Sequence, residues 1–122
     1  MRPSALVSFV ALAFASVSHA DIFQYTDCDG DGSLLLTELD AVPKADLSEL
    51  YLGCADLTGA DLSGAILSNA DLRNADLSGA DLTNAILLDA LLPGANLTGA
   101  NLSGANLVDA EMGNANLTNA TF

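Results

Sequence analysis

The sequence predicts an all-β protein built as a stacked solenoid, and three observations carry that expectation. A unit of five residues repeats from Ala45 to Phe122; a bulky apolar residue stands at the centre of each unit with a small one two positions before it; and a turn-forming residue stands two positions after it. Of the 16 centres, from residue 47 to residue 122 in steps of five, 14 are Leu, and Met112 and Phe122 complete the set. Alanine precedes the centre in 15 of 16 units, Leu50 being the exception, and from Gly59 to Asn119 the position after it holds only Gly, Asn or Asp. Repetition at so short a period marks an architecture in which each unit stacks on others of its kind. An α-helix cannot use the pattern, because five residues advance about 500° and the leucines would drift about 140° per unit around the cylinder. A plain strand cannot either, since a turn residue at every fifth position leaves too little extended chain. What fits is a coil in which each unit forms one side. Leu and Ala point inward, the other three side chains point outward, and the backbone turns once per unit at residues that tolerate positive φ.

The elements ahead of the repeats follow from their composition. Residues 1–20 combine Arg2, an apolar stretch from Ala5 to Val17 interrupted only by Ser8 and Ser16, and a small-x-small end at Ser18-His19-Ala20. These are the parts of a secretory signal peptide, so an exported protein, periplasmic or secreted, is expected to begin at Asp21. The apolar run is too short for a permanent membrane span and no second one follows, so membrane insertion is not expected. Cys28 and Cys54 then enter an oxidising compartment as an even pair, which favours a disulfide between them.

Residues 21–44 form a segment of their own. Asp27-Cys28-Asp29-Gly30-Asp31-Gly32-Ser33-Leu34-Leu35-Leu36-Thr37-Glu38 meets the fixed positions of the twelve-residue EF-hand calcium loop. Ca²⁺ takes hard oxygen ligands, and alternation places Asp27, Asp29 and Asp31 on one side of the bend. Ser33 offers its backbone carbonyl, Leu35 acts through its carbonyl or a water, Glu38 closes the shell with two oxygens, and Gly32 allows the sharp turn. The flanks are short: Ile22 to Thr26 cannot make a full entering helix, and Pro43 stops the exiting helix about a turn after Glu38. An unpaired hand of this kind is expected to hold calcium weakly, at roughly 10⁻⁴ to 10⁻³ M, as a structural ion. Its natural place is as a cap over the first coil, whose open end would expose apolar core and strand edge.

Over residues 45–122 the units read Ala-(Asp/Asn)-Leu-x-x, as in Ala55-Asp56-Leu57-Thr58-Gly59 and Ala60-Asp61-Leu62-Ser63-Gly64. In this the sequence resembles the pentapeptide-repeat family. The resemblance implies a right-handed quadrilateral parallel β-helix with four units, or 20 residues, per turn. It would have about four coils, a length on the order of 20 Å at roughly 4.8 Å per layer, and a leucine column too thin to enclose a substrate.

Assigning units to four faces in rotation puts Asp56, Asp76, Asn96 and Asn116 in one column, and Asp61, Asp81, Asn101 and Thr121 in the next. Another face replaces the acid by Ile66 and Ile86, with Leu88 and Val108 beside them and Leu91 on the adjoining face; this cluster is the expected partner surface, for a protein or cell-envelope partner or for a homodimer. Thr58, Ser78, Thr98 and Thr118, with Ser63, Thr83 and Ser103 alongside, form hydroxyl ladders on a further face. The repeats end at Phe122 without a capping helix, leaving an end that a second copy could pair with.

Composition bounds the chemistry. The chain carries 16 acidic and 3 basic residues for a net charge of −13, and Arg2 would leave with the leader. Such a field repels nucleic acid and anionic lipid and attracts cations or basic partners. The one histidine, His19, lies in the leader, which removes serine triads, Cys/His dyads and histidine metal sites from the exported chain. The expected function is a non-enzymatic calcium-binding scaffold with no catalytic residues and Ca²⁺ as its one bound group. The resemblance also implies an alternative, an acidic mimic of duplex DNA that binds type II topoisomerase. Export disfavours it, because those targets are cytoplasmic.

Overall fold

A computed structural model describes the backbone of Ala20–Gln24 and Leu36–Ala41 and all of residues 42–122. From Asp46 onward every fifth residue makes a parallel bridge to the residue twenty positions later, from Asp46↔Ile66 through Asp56↔Asp76 to Asn101↔Thr121. With one turn per five residues and one coil per twenty, the coil has four sides. The first face holds the units centred on Leu47, Leu67, Leu87 and Leu107, and the second those on Leu52, Leu72, Leu92 and Met112. Leu57, Leu77, Leu97 and Leu117 centre the third, and Leu62, Leu82, Leu102 and Phe122 the fourth.

Each unit turns the same way. From Ala55 to Ala120 the N–H of each Ala at this position donates to the carbonyl of the centre residue three positions earlier, as in Ala75 to Leu72 at 3.0 Å. The residue just before that Ala has positive φ at every unit, from Lys44 (62°) to Asn119 (59°). Positive φ at the third residue of a four-residue turn is the requirement of type II, which is why Gly and Asn dominate there. The first coil departs from this alphabet, placing Lys44, Glu49 and Cys54 in the same conformation. A side chain there costs roughly 1–2 kcal/mol. It is held by stacking: the N–H groups of these residues donate to Ser63, Ser68 and Arg73 of the next coil at 2.8–2.9 Å.

The interior is the expected leucine column. Every centre from Leu47 to Leu102 and every preceding alanine from Ala55 to Ala100 is buried, and each buried Leu contributes about 2 kcal/mol. Alanine at the corner is small enough to let leucines from four faces meet. The last coil differs. Leu107, Met112 and Leu117 are only partly buried, and Phe122, expected to complete the inward set, is 69% exposed, since among the described residues no coil covers it.

At the amino end the sheet runs β2-β1-β3, with β1 (Ala20–Gln24) antiparallel to both β2 (Leu36–Ala41) and β3 (Ala55–Asp56). Phe23 pairs with Leu36 on one side and Asp56 on the other. Leu36 and Asp56 are twenty residues apart, the spacing that elsewhere sets one coil directly on the next, so β1 is an antiparallel rung between them. The short exiting helix expected after Glu38 is therefore not formed: residues 36–41 are strand. Six residues ahead of a proline make too few helical hydrogen bonds to offset nucleation, whereas pairing with β1 uses the backbone at once. Among the described residues no helix is long and apolar enough to cross a membrane.

Candidate functional site

With the interior filled by Leu and Ala, the outer walls are the broad surface that the described residues offer to another molecule. Their most regular feature is a staple. In ten units the Asp or Asn before the centre accepts a hydrogen bond, through Oδ1, from the backbone N–H two residues on; examples are Asp76 from Ser78 at 2.9 Å and Asn101 from Ser103 at 3.1 Å. Both side chains carry the needed oxygen, which explains their interchange along the chain. Ser48, Ser63, Thr98 and Thr118 add their hydroxyls to the same oxygen at 2.6–2.7 Å, and Thr83 does so on Asp81.

The hydroxyl ladders therefore share the third and fourth faces with the Asp/Asn columns rather than occupying a further face, and in these units their protons are already used. The hydroxyl of Ser48, and then its N–H, hold Asp46 below the usual carboxylate range; Thr83 does the same to Asp81. Where Asn follows Asp, the amide adds a rung between coils: Asn96 Nδ2 donates to Asp76 Oδ1 at 3.1 Å, and Asn101 Nδ2 donates to Thr83 Oγ1 at 3.0 Å.

Of the predicted partner residues, Ile66, Ile86 and Leu91 replace the staple's acceptor, Leu88 lies two positions after Ile86, and Val108 donates its N–H to Asn106. Ile66 and Ile86 are bridged neighbours on the first face, and Leu88 lies beside Val108, whose carbonyl accepts from the Asp89 N–H at 3.1 Å. Ile66 is 36% and Val108 58% exposed, while Ile86, Leu88 and Leu91 are half-buried. Leu91 stands between Asp71 and Glu111 in its column. Its unit carries Pro93 at the position that would donate the staple, and proline has no N–H to give.

Two arrangements had no clear signal in the sequence. On the second face Asp71 takes a two-pronged ion pair from Arg73, which raises the guanidinium pKa, and the Tyr51 ring lies so close over Gly53 that a Cβ there would sit 3.0 Å from it. The acids also divide into two sets. Those before the centres, from Asp46 to Asp81, accept staples, whereas Glu49, Asp89, Asp109 and Glu111 are exposed and their carboxylates accept no hydrogen bond among the described residues. Three of these four border Leu88, Leu91 and Val108.

Of the predicted calcium ligands, Asp27, Asp29, Asp31, Ser33 and Leu35 lie outside the described residues, and the backbone at Glu38 belongs to β2. Cys54 is disulfide-bonded, and Cys28, the one other cysteine of the chain, lies outside the described residues. Among the described residues no three His, Cys, Asp or Glu side chains converge on a metal site.

Residues 51–87 and 85–122 match the family model for pentapeptide repeats, with eight copies. The chain is similar to a solved pentapeptide repeat protein of the Arabidopsis thaliana thylakoid lumen, at 31% identity and a TM-score of 0.59, covering 66% of this chain and 53% of that one. It is also similar to one from Nostoc, at 47% identity and a TM-score of 0.55, covering 57% of this chain and 58% of that one. The chain thus spans somewhat more than half the length of each of these two proteins. No curated protein matches it. Solved pentapeptide-repeat structures imply that the four-sided parallel coil is a right-handed quadrilateral β-helix, and the fold, the repeat and the match together make this chain a member of the pentapeptide-repeat family.

Proposed function

We propose that the protein is an exported, non-enzymatic binding module of about four coils, closed at its amino end by a calcium-clasped cap and meeting a protein partner through its outer walls. One observation carries this reading: leucine and alanine fill the coil, so recognition is left to the outside, where four outward residues, Ile66, Ile86, Leu88 and Val108, replace polar positions on one face. Export rests on the leader at residues 1–20 and on the disulfide at Cys54, since such bonds persist in oxidising compartments. Cys28 is its proposed partner, tying the segment of the predicted calcium ligands to the residue before β3. The Arabidopsis protein to which the chain is similar is one of the thylakoid lumen. DNA mimicry is the weaker reading, because the carboxylate columns of the third and fourth faces turn to Asn after Asp76 and Asp81.

Ca²⁺ would be held by Asp27, Asp29, Asp31 and Glu38 with the carbonyls of Ser33 and Leu35, an all-oxygen set suited to a hard cation. It would neutralise the carboxylates of Asp27, Asp29, Asp31 and Glu38. Calorimetry on the protein and on Glu38→Gln tests the assignment: the expected result is weak binding, in the range of roughly 10⁻⁴ to 10⁻³ M, that is lost in the variant while the solenoid stays folded. Equal affinity in both proteins would show the loop assignment to be wrong.

A further inference from the structure

We infer that the corner between the first and second faces, at Leu88, Asp89, Leu91, Val108, Asp109 and Glu111, is a docking strip for a basic amphipathic segment of another protein. The inference rests on the binding-module reading and names the chemistry of the partner. Two coils supply the strip in register: the Asp89 N–H bonds the Val108 carbonyl, and Leu91 bridges Glu111. Adjacent coils lie roughly 4.8 Å apart. Asp89 and Asp109 therefore stack as two exposed carboxylates beside two apolar side chains, with Glu111 one short step around the corner.

The charge is what selects the partner. The acids of the third and fourth faces are committed to staples and surrounded by hydroxyls. The carboxylates of Asp89, Asp109 and Glu111 accept no hydrogen bond among the described residues, and each of the three adjoins an outward apolar group. Stacked carboxylates repel each other, so a cation placed between them removes a standing cost while an apolar side chain beside it covers Leu88 and Val108. Arg73 cannot serve from within, being paired to Asp71, and Lys44 stands at the start of the first coil. A second copy fits poorly, because a two-fold contact through this strip would set the same three carboxylates against each other.

The probe is a synthetic twelve-residue peptide alternating Leu and Lys, with a Leu/Glu peptide as control, titrated into the protein and followed by amide chemical shifts. The expected result is saturable binding of the Leu/Lys peptide alone, with shifts centred on residues 88–91 and 108–111. Asp89→Asn/Asp109→Asn/Glu111→Gln should weaken it at least tenfold, and Val108→Ser should weaken it too. Removing three charges elsewhere, by Asp56→Asn/Asp61→Asn/Asp76→Asn, should change it less than twofold. Equal loss in both triple variants, or shifts centred on the third or fourth face, would overturn the proposal and leave the binding-module reading standing on other walls. A dimer in sedimentation that dissociates on Ile86→Lys would also overturn it, giving the surface to a second copy.

Discussion

The third and fourth faces and the corner of the first and second are built from the same five-residue unit, yet they spend it differently. On the third and fourth faces, Asp or Asn staples the turn in every unit from Asp56 to Asn116, and Thr or Ser closes the hydrogen bonds around it. On the first and second faces the acceptor gives way to Ile66, Ile86 and Leu91, and the carboxylates of Asp89, Asp109 and Glu111 accept no hydrogen bond among the described residues. The difference teaches that an outward polar residue in a solenoid can be structural, and that the residues free for recognition are those the turn does not use.

The largest expected effect separates wall from interior. Leu77, fully buried under the third face, should not tolerate charge: Leu77→Asp is expected to cost more than about 4 kcal/mol and to abolish the cooperative thermal transition followed by circular dichroism. Retention of a wild-type melt would mean that this face is assigned inside out. A smaller effect tests the stacking of corners. Gly94 has φ +72°, and a Cβ there would collide with Asn74 Oδ1 of the coil below, whereas Gly99, at φ +68°, faces open space. Gly99→Ala should cost about 1–2 kcal/mol from backbone conformation alone. Gly94→Ala should cost more than that, and equal losses in urea titration would remove the stacked asparagine from the account.

The smallest effects bear on the staple itself. Asp76→Ala removes the acceptor for the Ser78 N–H and for Asn96, and is expected to cost about 1 kcal/mol. Asp109→Ala, which breaks no hydrogen bond among the described residues, should stay within about 0.5 kcal/mol of the parent. A reversed ranking in chemical denaturation would undo the division of the acids into two sets. Protonation gives an independent reading. Asp81 is held below its ordinary value of 3.8 in the folded protein, so its stabilisation is present above that pH and is lost as pH falls through the lower folded value. Asp81→Asn keeps an oxygen for Thr83 but cannot titrate. It should remove that site's share of the acid-induced loss while changing stability little at neutral pH.

Much of this was legible before any coordinates. The turn at every fifth residue, the inward Leu and Ala and the apolar departures at Ile66, Ile86, Leu88, Leu91 and Val108 all follow from side-chain size and from which residues accept positive φ. Lys44, Glu49 and Cys54 were not legible as turn residues. Their types argue against positive φ, and only hydrogen bonds from the coil above hold them there. Phe122 departs from its pattern for a related reason: its position in the repeat points inward, but among the described residues no coil covers it.

By itself the sequence determined the period, the filling of the core and the outward columns of the four walls, because these depend on contacts that recur at fixed spacing. Three things were decided only by the tertiary structure. β1 intervenes between Leu36 and Asp56, residues 36–41 are strand rather than helix, and the acids divide into those that staple turns and those whose carboxylates accept no hydrogen bond among the described residues. Each depends on which backbone groups remain unpaired once the coils have stacked, and no local pattern of residue types carries that information.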